Sequence, residues 1–135
     1  MADAQTHETV PIVADSDIVR VRQRVRDVTV ALGFSLVDQT KLVTAASELA
    51  RNTLVYGRGG VLRIETPTNG YRQGVRLTFE DEGPGIADVE LALKPGYTTG
   101  TGLGLGLGGA RRLSDEFELT SRVGEGTRVV IARWK

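Results

Sequence analysis

The chain has 135 residues, 40% of them hydrophobic and 25% charged, which suits one globular domain with a core that needs no staples. Seventeen Lys and Arg balance seventeen Asp and Glu, so no net field draws nucleic acid or an anionic membrane. With no Cys and a single His, His7, the chain cannot make disulfides, thiol nucleophiles, Ser-His triads or clustered His sites; its chemistry falls to carboxylates, amides, hydroxyls and 17 glycines.

Residues 1–9 read as a polar, flexible tail and residues 10–135 as a single domain, with a short edge strand over 10–13. No apolar run reaches the length of a membrane span and no signal-peptide core opens the chain, so a cytoplasmic protein is expected. Asp15 and Ser16 are plausible caps for a helix in which Ile18, Val21, Val25, Val28 and Leu32 recur at helical spacing. Arg20, Arg22, Arg24 and Arg26 fall mostly between them, giving a basic outer surface, and Gly33 stops the helix. That surface is either a solvated helix face or a dock for an acidic partner.

Ser35 with Asp38 three residues on resembles an acidic capping box, opening a helix that runs to about Tyr56 and is broken by Gly57, Gly59 and Gly60. Residues 61–66 and 75–81 read as strands joined by a turn around Asn69, Gly70 and Gly74; Val75, Leu77 and Phe79 alternate with polar residues, so one face is buried. A short helix is expected over 88–93, a glycine-rich loop over 96–109 and a helical continuation over 110–115. Residues 117–122 and 128–134 read as a closing hairpin with Gly124 and Gly126 at its turn. The fold class is α+β, a two-layer sandwich with helices on one face of a mixed sheet.

Four features could carry chemistry. Glu48 and Asn52 lie four apart on a helix, hence on one face, where an acid and an amide could act as a base and a hard-cation ligand or merely be solvated. Asp81 ends a strand and is followed by Gly83, Pro84 and Gly85. A carboxylate fixed there could accept from an amino group, although a tight turn uses the same residues. Alternating glycines at 100, 102, 104 and 106 could turn main-chain N–H groups onto phosphates, and the interleaved leucines argue against a plain linker. Gly124, Glu125, Gly126 and Thr127 place a hydroxyl just past a turn. Gly104, Gly106 and Gly109 match a dinucleotide spacing, but no βαβ unit accompanies them and no Walker lysine is present.

Taken in order, these four features resemble the nucleotide-binding boxes of the GHKL superfamily (gyrase, Hsp90, histidine kinase, MutL), and most of all the serine kinases of bacterial partner switching, of the RsbT type. The resemblance covers the chain from about residue 10. Besides the run from Ala46 to Asn52, Tyr97 to Gly100 and Arg112 to Phe117 support it. It implies an ATP-binding sandwich and the following roles. Glu48 is the catalytic base for an acceptor Ser. Asn52 ligates Mg²⁺ on the phosphates. Asp81 accepts from the adenine amine, with Gly83, Gly85 and Ile86 along that wall and Thr127 supporting it. Gly100, Thr101, Gly102, Leu103, Gly104, Leu105 and Gly106 form the phosphate-facing loop. Such a site works by in-line positioning and charge neutralisation.

The implied activity is an ATP- and Mg²⁺-dependent protein serine/threonine kinase acting on a STAS-domain partner (RsbS- or RsbR-like) and activating a PP2C-type phosphatase, with no nucleic-acid or membrane partner. The alternative is a nucleotide-binding anti-sigma factor that acts by sequestration, against which Glu48 argues. A histidine autokinase lacks its phosphoacceptor helix here, and a gyrase- or Hsp90-like motor would be expected to need a longer chain. Two departures stand out. No basic residue lies between Lys94 and Arg111, so Mg²⁺, backbone N–H groups, and Arg111 or a partner residue are expected to serve the γ-phosphate. The segment between Gly85 and Gly100 is also short, which implies a loosely covered nucleotide.

Overall fold

A computed structural model describes residues 7–87, 89, 93 and 106–135. Strand β1 (His7–Ile12) leads into helices α1 (Asp15–Ala31) and α2 (Leu36–Val55), then β2 (Gly60–Glu65), the two-residue β3 (Thr68–Asn69) and β4 (Arg72–Asp81). Helix α3 (Gly106–Arg112) precedes the closing hairpin of β5 (Glu116–Arg122) and β6 (Gly126–Trp134). The strands lie in the order β1-β2-β4-β6-β5, with β3 beside β4.

Every pairing among the described strands is antiparallel, so the expected mixed sheet is corrected. The reason is the connection. Two antiparallel helices between β1 and β2 return the chain to the end it left, and Ile12 meets Gly60 across the ladder. A single crossover helix would have delivered a parallel strand. β1 also begins at His7, inside the segment expected as tail, because its ladder with β2 runs back to Glu65.

One face of the sheet is dry. Leu62 and Ile64 of β2, Val75, Leu77 and Phe79 of β4, and Ile131 of β6 are buried there with Ile18, Val21 and Val25 of α1 and Leu42 and Leu49 of α2. The strand residues alternate and the helix residues recur at three and four, as burial of one face requires. The other face is open and laced by charge: Arg63 pairs with Glu80, which also meets Arg128 at 3.4 Å, and Arg128 reaches Glu118 at 3.7 Å.

The helix ends differ from expectation in instructive ways. The N-cap of α1 is Ala14, and the capping atoms come from Asp17, whose Oδ2 accepts from the N–H of Val13 at 2.9 Å and of Ala14 at 3.1 Å. Ser35 caps α2 as expected, its hydroxyl accepting from Asp38 N–H at 3.1 Å. The Asp38 carboxylate goes elsewhere, to Arg133 of β6 at 2.7 Å. Helix α3 starts at Gly106, four residues earlier than expected, and buries Leu107, Gly108, Gly109 and Ala110 beside α2. Packing overrides the poor helix propensity of the glycines. Gly74 belongs to β4, with Trp134 packed against its bare Cα. Most of the short helix expected over 88–93 lies outside the described residues, although Leu93 N–H does bond Val89 O at 3.1 Å. No helix among the described residues is long and apolar enough to cross a membrane.

Candidate active site

The C-terminal end of β4 delivers Asp81 to the rim of the sheet, in register with Thr127 of β6. Its Oδ1 accepts from Gly83 N–H at 2.9 Å and from Thr127 N–H at 3.2 Å. Oδ2 has no donor among the described residues. Burial pushes the Asp81 carboxyl above the usual carboxylate range, and the two amide bonds offset part of that rise. No cation of a described residue pairs with it. A desolvated carboxylate with a spare acceptor oxygen is the arrangement a donor-bearing ligand needs.

Glycine contacts bring the backbone close around it. A Cβ at Gly83 would lie 2.7 Å from Gly57 Cα, and one at Gly57 would overlap the Asp81 carboxyl. Gly85 and Gly126 hold φ of 78° and 98°, which only glycine adopts at little cost, and each backs directly onto a carbonyl, of Arg122 and of Asp81. Gly83, Gly85 and Thr127 thus lie together around the end of β4. Gly57 and Gly126, read in the sequence only as a helix stop and a hairpin turn, belong to the same collar.

Ser121 of β5 was not singled out in the sequence. Its hydroxyl accepts from Ile86 N–H at 2.8 Å, lies 2.8 Å from Thr127 Oγ1 and 3.1 Å from Gly126 O. It therefore ties the loop after β4, including Ile86, to the Thr127 hydroxyl. A serine in an alternating strand carries no local mark of this; only the ladder placing Ser121 opposite Thr127 exposes it.

Glu48 and Asn52 lie on the flank of α2's buried stripe, both half-buried. Neither side chain makes a hydrogen bond or ion pair with another described residue. Asn52 O accepts from Tyr56 N–H at 2.9 Å and Gly57 N–H at 3.1 Å, so the turn carrying Asn52 is the one that ends against Asp81. The structure therefore links Asn52 to the Asp81 corner through one helix turn, with Glu48 a turn further back. Among the described residues no group of three His, Cys, Asp or Glu could hold a metal. An amide and a carboxylate oxygen with few other protein donors fit Mg²⁺, which keeps waters and shares phosphate oxygens. The loop residues Gly100, Thr101, Gly102, Leu103, Gly104 and Leu105 lie outside the described residues. Gly106 is the first residue of α3, and Arg111 is exposed on that helix with no ion pair to a described residue.

Residues 37–135 match the family of histidine kinase-, DNA gyrase B- and HSP90-like ATPases. The chain is 44% identical over 125 residues to the serine/threonine-protein kinase RsbT of Bacillus subtilis, spanning 93% of this chain and 94% of that one. It is 34% identical over 97 residues to the anti-sigma F factor of Clostridium beijerinckii, 67% of this chain and 66% of that one. The crystal structure of the RsbU and RsbW domains of Rv1364c from Mycobacterium tuberculosis has the same fold, with a TM-score of 0.67 and 19% identity. That match covers 98% of this chain and 33% of the longer one. With the Asp81 corner and the Glu48–Asn52 face on one scaffold, the chain belongs to the histidine kinase-, DNA gyrase B- and HSP90-like ATPases, and among them to the serine/threonine-protein kinases of RsbT type.

Proposed function

We propose that this kinase transfers the γ-phosphoryl group of ATP to a serine of a STAS-domain protein, RsbS- or RsbR-like, within a bacterial partner switch, and then binds and activates a PP2C-type phosphatase. The observation that carries the reading is the single turn of α2 that joins Asn52 to Gly57, and through Gly57 to Asp81. Through it, the face of α2 suited to phosphate chemistry adjoins the end of β4 that carries the residue suited to base recognition.

In this reading Asp81 Oδ2 accepts from the adenine 6-amine, and the Thr127 hydroxyl, held by Ser121, lines the same wall. Gly83, Gly85 and Ile86 shape the approach, and the backbone of Gly100 to Gly106 faces the phosphates. Asn52 holds Mg²⁺, which when bound neutralises charge on the phosphate oxygens. Glu48 takes the proton from the acceptor Ser Oγ as that oxygen bonds to Pγ. The bond between Pγ and the bridging oxygen breaks, and ADP leaves. Positioning and charge neutralisation dominate such a transfer. Arg111, exposed on α3, or a residue of the protein partner supplies charge to the γ-phosphate.

The test is transfer of label from γ-labelled ATP to a candidate STAS-domain protein. Glu48→Ala is expected to lower transfer by about 10²-fold or more while ATP affinity stays within about threefold. Wild-type transfer that survives Glu48→Ala at full rate would remove the residue from catalysis. The anti-sigma F relatives favour a second reading, sequestration of a partner with nucleotide as a gate. Stable ATP-dependent complex formation without transfer to any STAS-domain protein would select it.

A further inference from the structure

We infer that Gly57, at the end of α2, is a specificity-determining positioning residue: its bare Cα is the surface against which the Asp81 carboxyl is set for a 6-amino purine. The inference rests on the reading of Asp81 as the acceptor for adenine.

Three observations carry it. Gly57 is buried, and the three atoms a Cβ there would meet first are all from Asp81: Cγ, Oδ2 and Cβ, the last at 2.6 Å. Gly57 does not occupy the left-handed region, so its backbone would accept any residue, and close approach alone demands glycine. Third, Oδ1 is held by the Gly83 and Thr127 N–H groups, so the other oxygen, Oδ2, is the one that faces Gly57. Two bonds and one contact leave the carboxyl a single orientation, with Oδ2 resting over Gly57 and free of donors among the described residues.

A methyl at Gly57 would force one of two changes. The carboxyl rotates and loses an amide bond on Oδ1, or the end of α2 withdraws from β4. Either moves Oδ2 away from the position where it meets the base. Asn52 lies a turn back on α2 and the loop proposed to face the phosphates is a separate stretch of the chain, so the change falls first on base discrimination.

Calorimetry with Mg²⁺ and two probes separates these effects: ATP, and purine riboside triphosphate, which lacks only the 6-amine. Wild type is expected to prefer ATP by about tenfold or more, the worth of one hydrogen bond to a charged acceptor. Asp81→Ala should abolish that preference. If it does not, the adenine reading fails and the inference falls with it. Gly57→Ala should cut the preference by about fivefold or more, with affinity for purine riboside triphosphate changed by less than about twofold. A preference lost in Asp81→Ala yet intact in a folded Gly57→Ala overturns the role of Gly57 alone.

Should Gly57→Ala fail to fold, Asp81→Gly provides the second arm, because it removes the three atoms nearest to the methyl. Adding Gly57→Ala to Asp81→Gly should then leave the melting temperature unchanged. A double variant destabilised beyond Asp81→Gly places the conflict elsewhere and overturns the inference.

Discussion

Asp38 and Asp81 are both carboxylates at the mouth of a regular element, and they are treated in opposite ways. Asp38, in the first turn of α2, is bonded by Arg133 at 2.7 Å, which holds its carboxyl below the usual range. The same guanidinium donates to Leu113 O at 2.9 Å and lies 3.8 Å from Asp115, so one arginine fastens the start of α2, the segment after α3 and β6. Among the described residues, Asp81 is bonded by backbone amides alone, with Gly57 against it, and burial raises its pKa. A carboxylate matched with a cation is committed to the fold. One that is partly desolvated, oriented and without a cation among the described residues is the candidate for binding a ligand.

The largest expected effect exchanges those roles. Asp81→Ala should weaken ATP binding by about tenfold or more, the worth of its bond to the amine. Relief of the buried charge should offset part of the stability lost with the acceptor for Gly83 and Thr127 N–H. Asp38→Ala should leave ATP affinity unchanged and lower stability. Equal losses of affinity in the two variants would erase the distinction. Next in size is Arg133→Met, which keeps the side chain's bulk and removes its charge. With its guanidinium shared between Asp38 and Leu113 O, the loss should be about 2 kcal/mol in a denaturant titration.

Much of this frame was legible because its causes are local. Ser35 caps α2 through a bond three residues away, and Leu77 and Phe79 announce the buried face of β4 by alternation. The features that escaped are long-range. Asp38 looked like half of a capping box, yet its partner is 95 residues on. Gly57 looked like a helix stop, since nothing near it in the chain reveals that Asp81 will lie against it. The antiparallel sheet depended on two helices pairing between β1 and β2. Glu48 and Asn52 were visible as a pair at helical spacing, but that spacing alone did not distinguish a catalytic face from a solvated one. Ser121 needed the β5–β6 register before it could be noticed.

The two carboxylates also predict opposite pH dependence. Asp81 has a raised pKa in the folded state, so the unfolded chain releases its proton first as pH rises. Stability therefore falls across the window from the ordinary carboxylate pKa up to the raised one, and the penalty persists above it. Asp38 has a depressed pKa, so its contribution is present above the ordinary value and is lost as pH falls through the depressed one. Asp81→Asn, which keeps an acceptor for Gly83 and Thr127, should raise the melting temperature at neutral pH and have no effect near about pH 3. Asp38→Asn should lower it at neutral pH, with the difference closing in acid. Shifts of the same sign at neutral pH would contradict the contrast.

Glu80 supplies the smallest effect and the sharpest control, because it is the neighbour of Asp81 on the same strand. Alternation turns it to the open face of the sheet, where it bridges Arg63 of β2 and Arg128 of β6. Those pairs are half exposed, so water and salt screen them, and holding long side chains in place costs entropy that offsets most of the attraction. Glu80→Gln should cost about 0.5 kcal/mol or less at low salt, shrink further at high ionic strength, and leave ATP affinity as it was. If affinity instead fell as it does for Asp81→Ala, the acidic character of the strand end, and not the orientation of one carboxyl by its glycine collar, would govern recognition of the base.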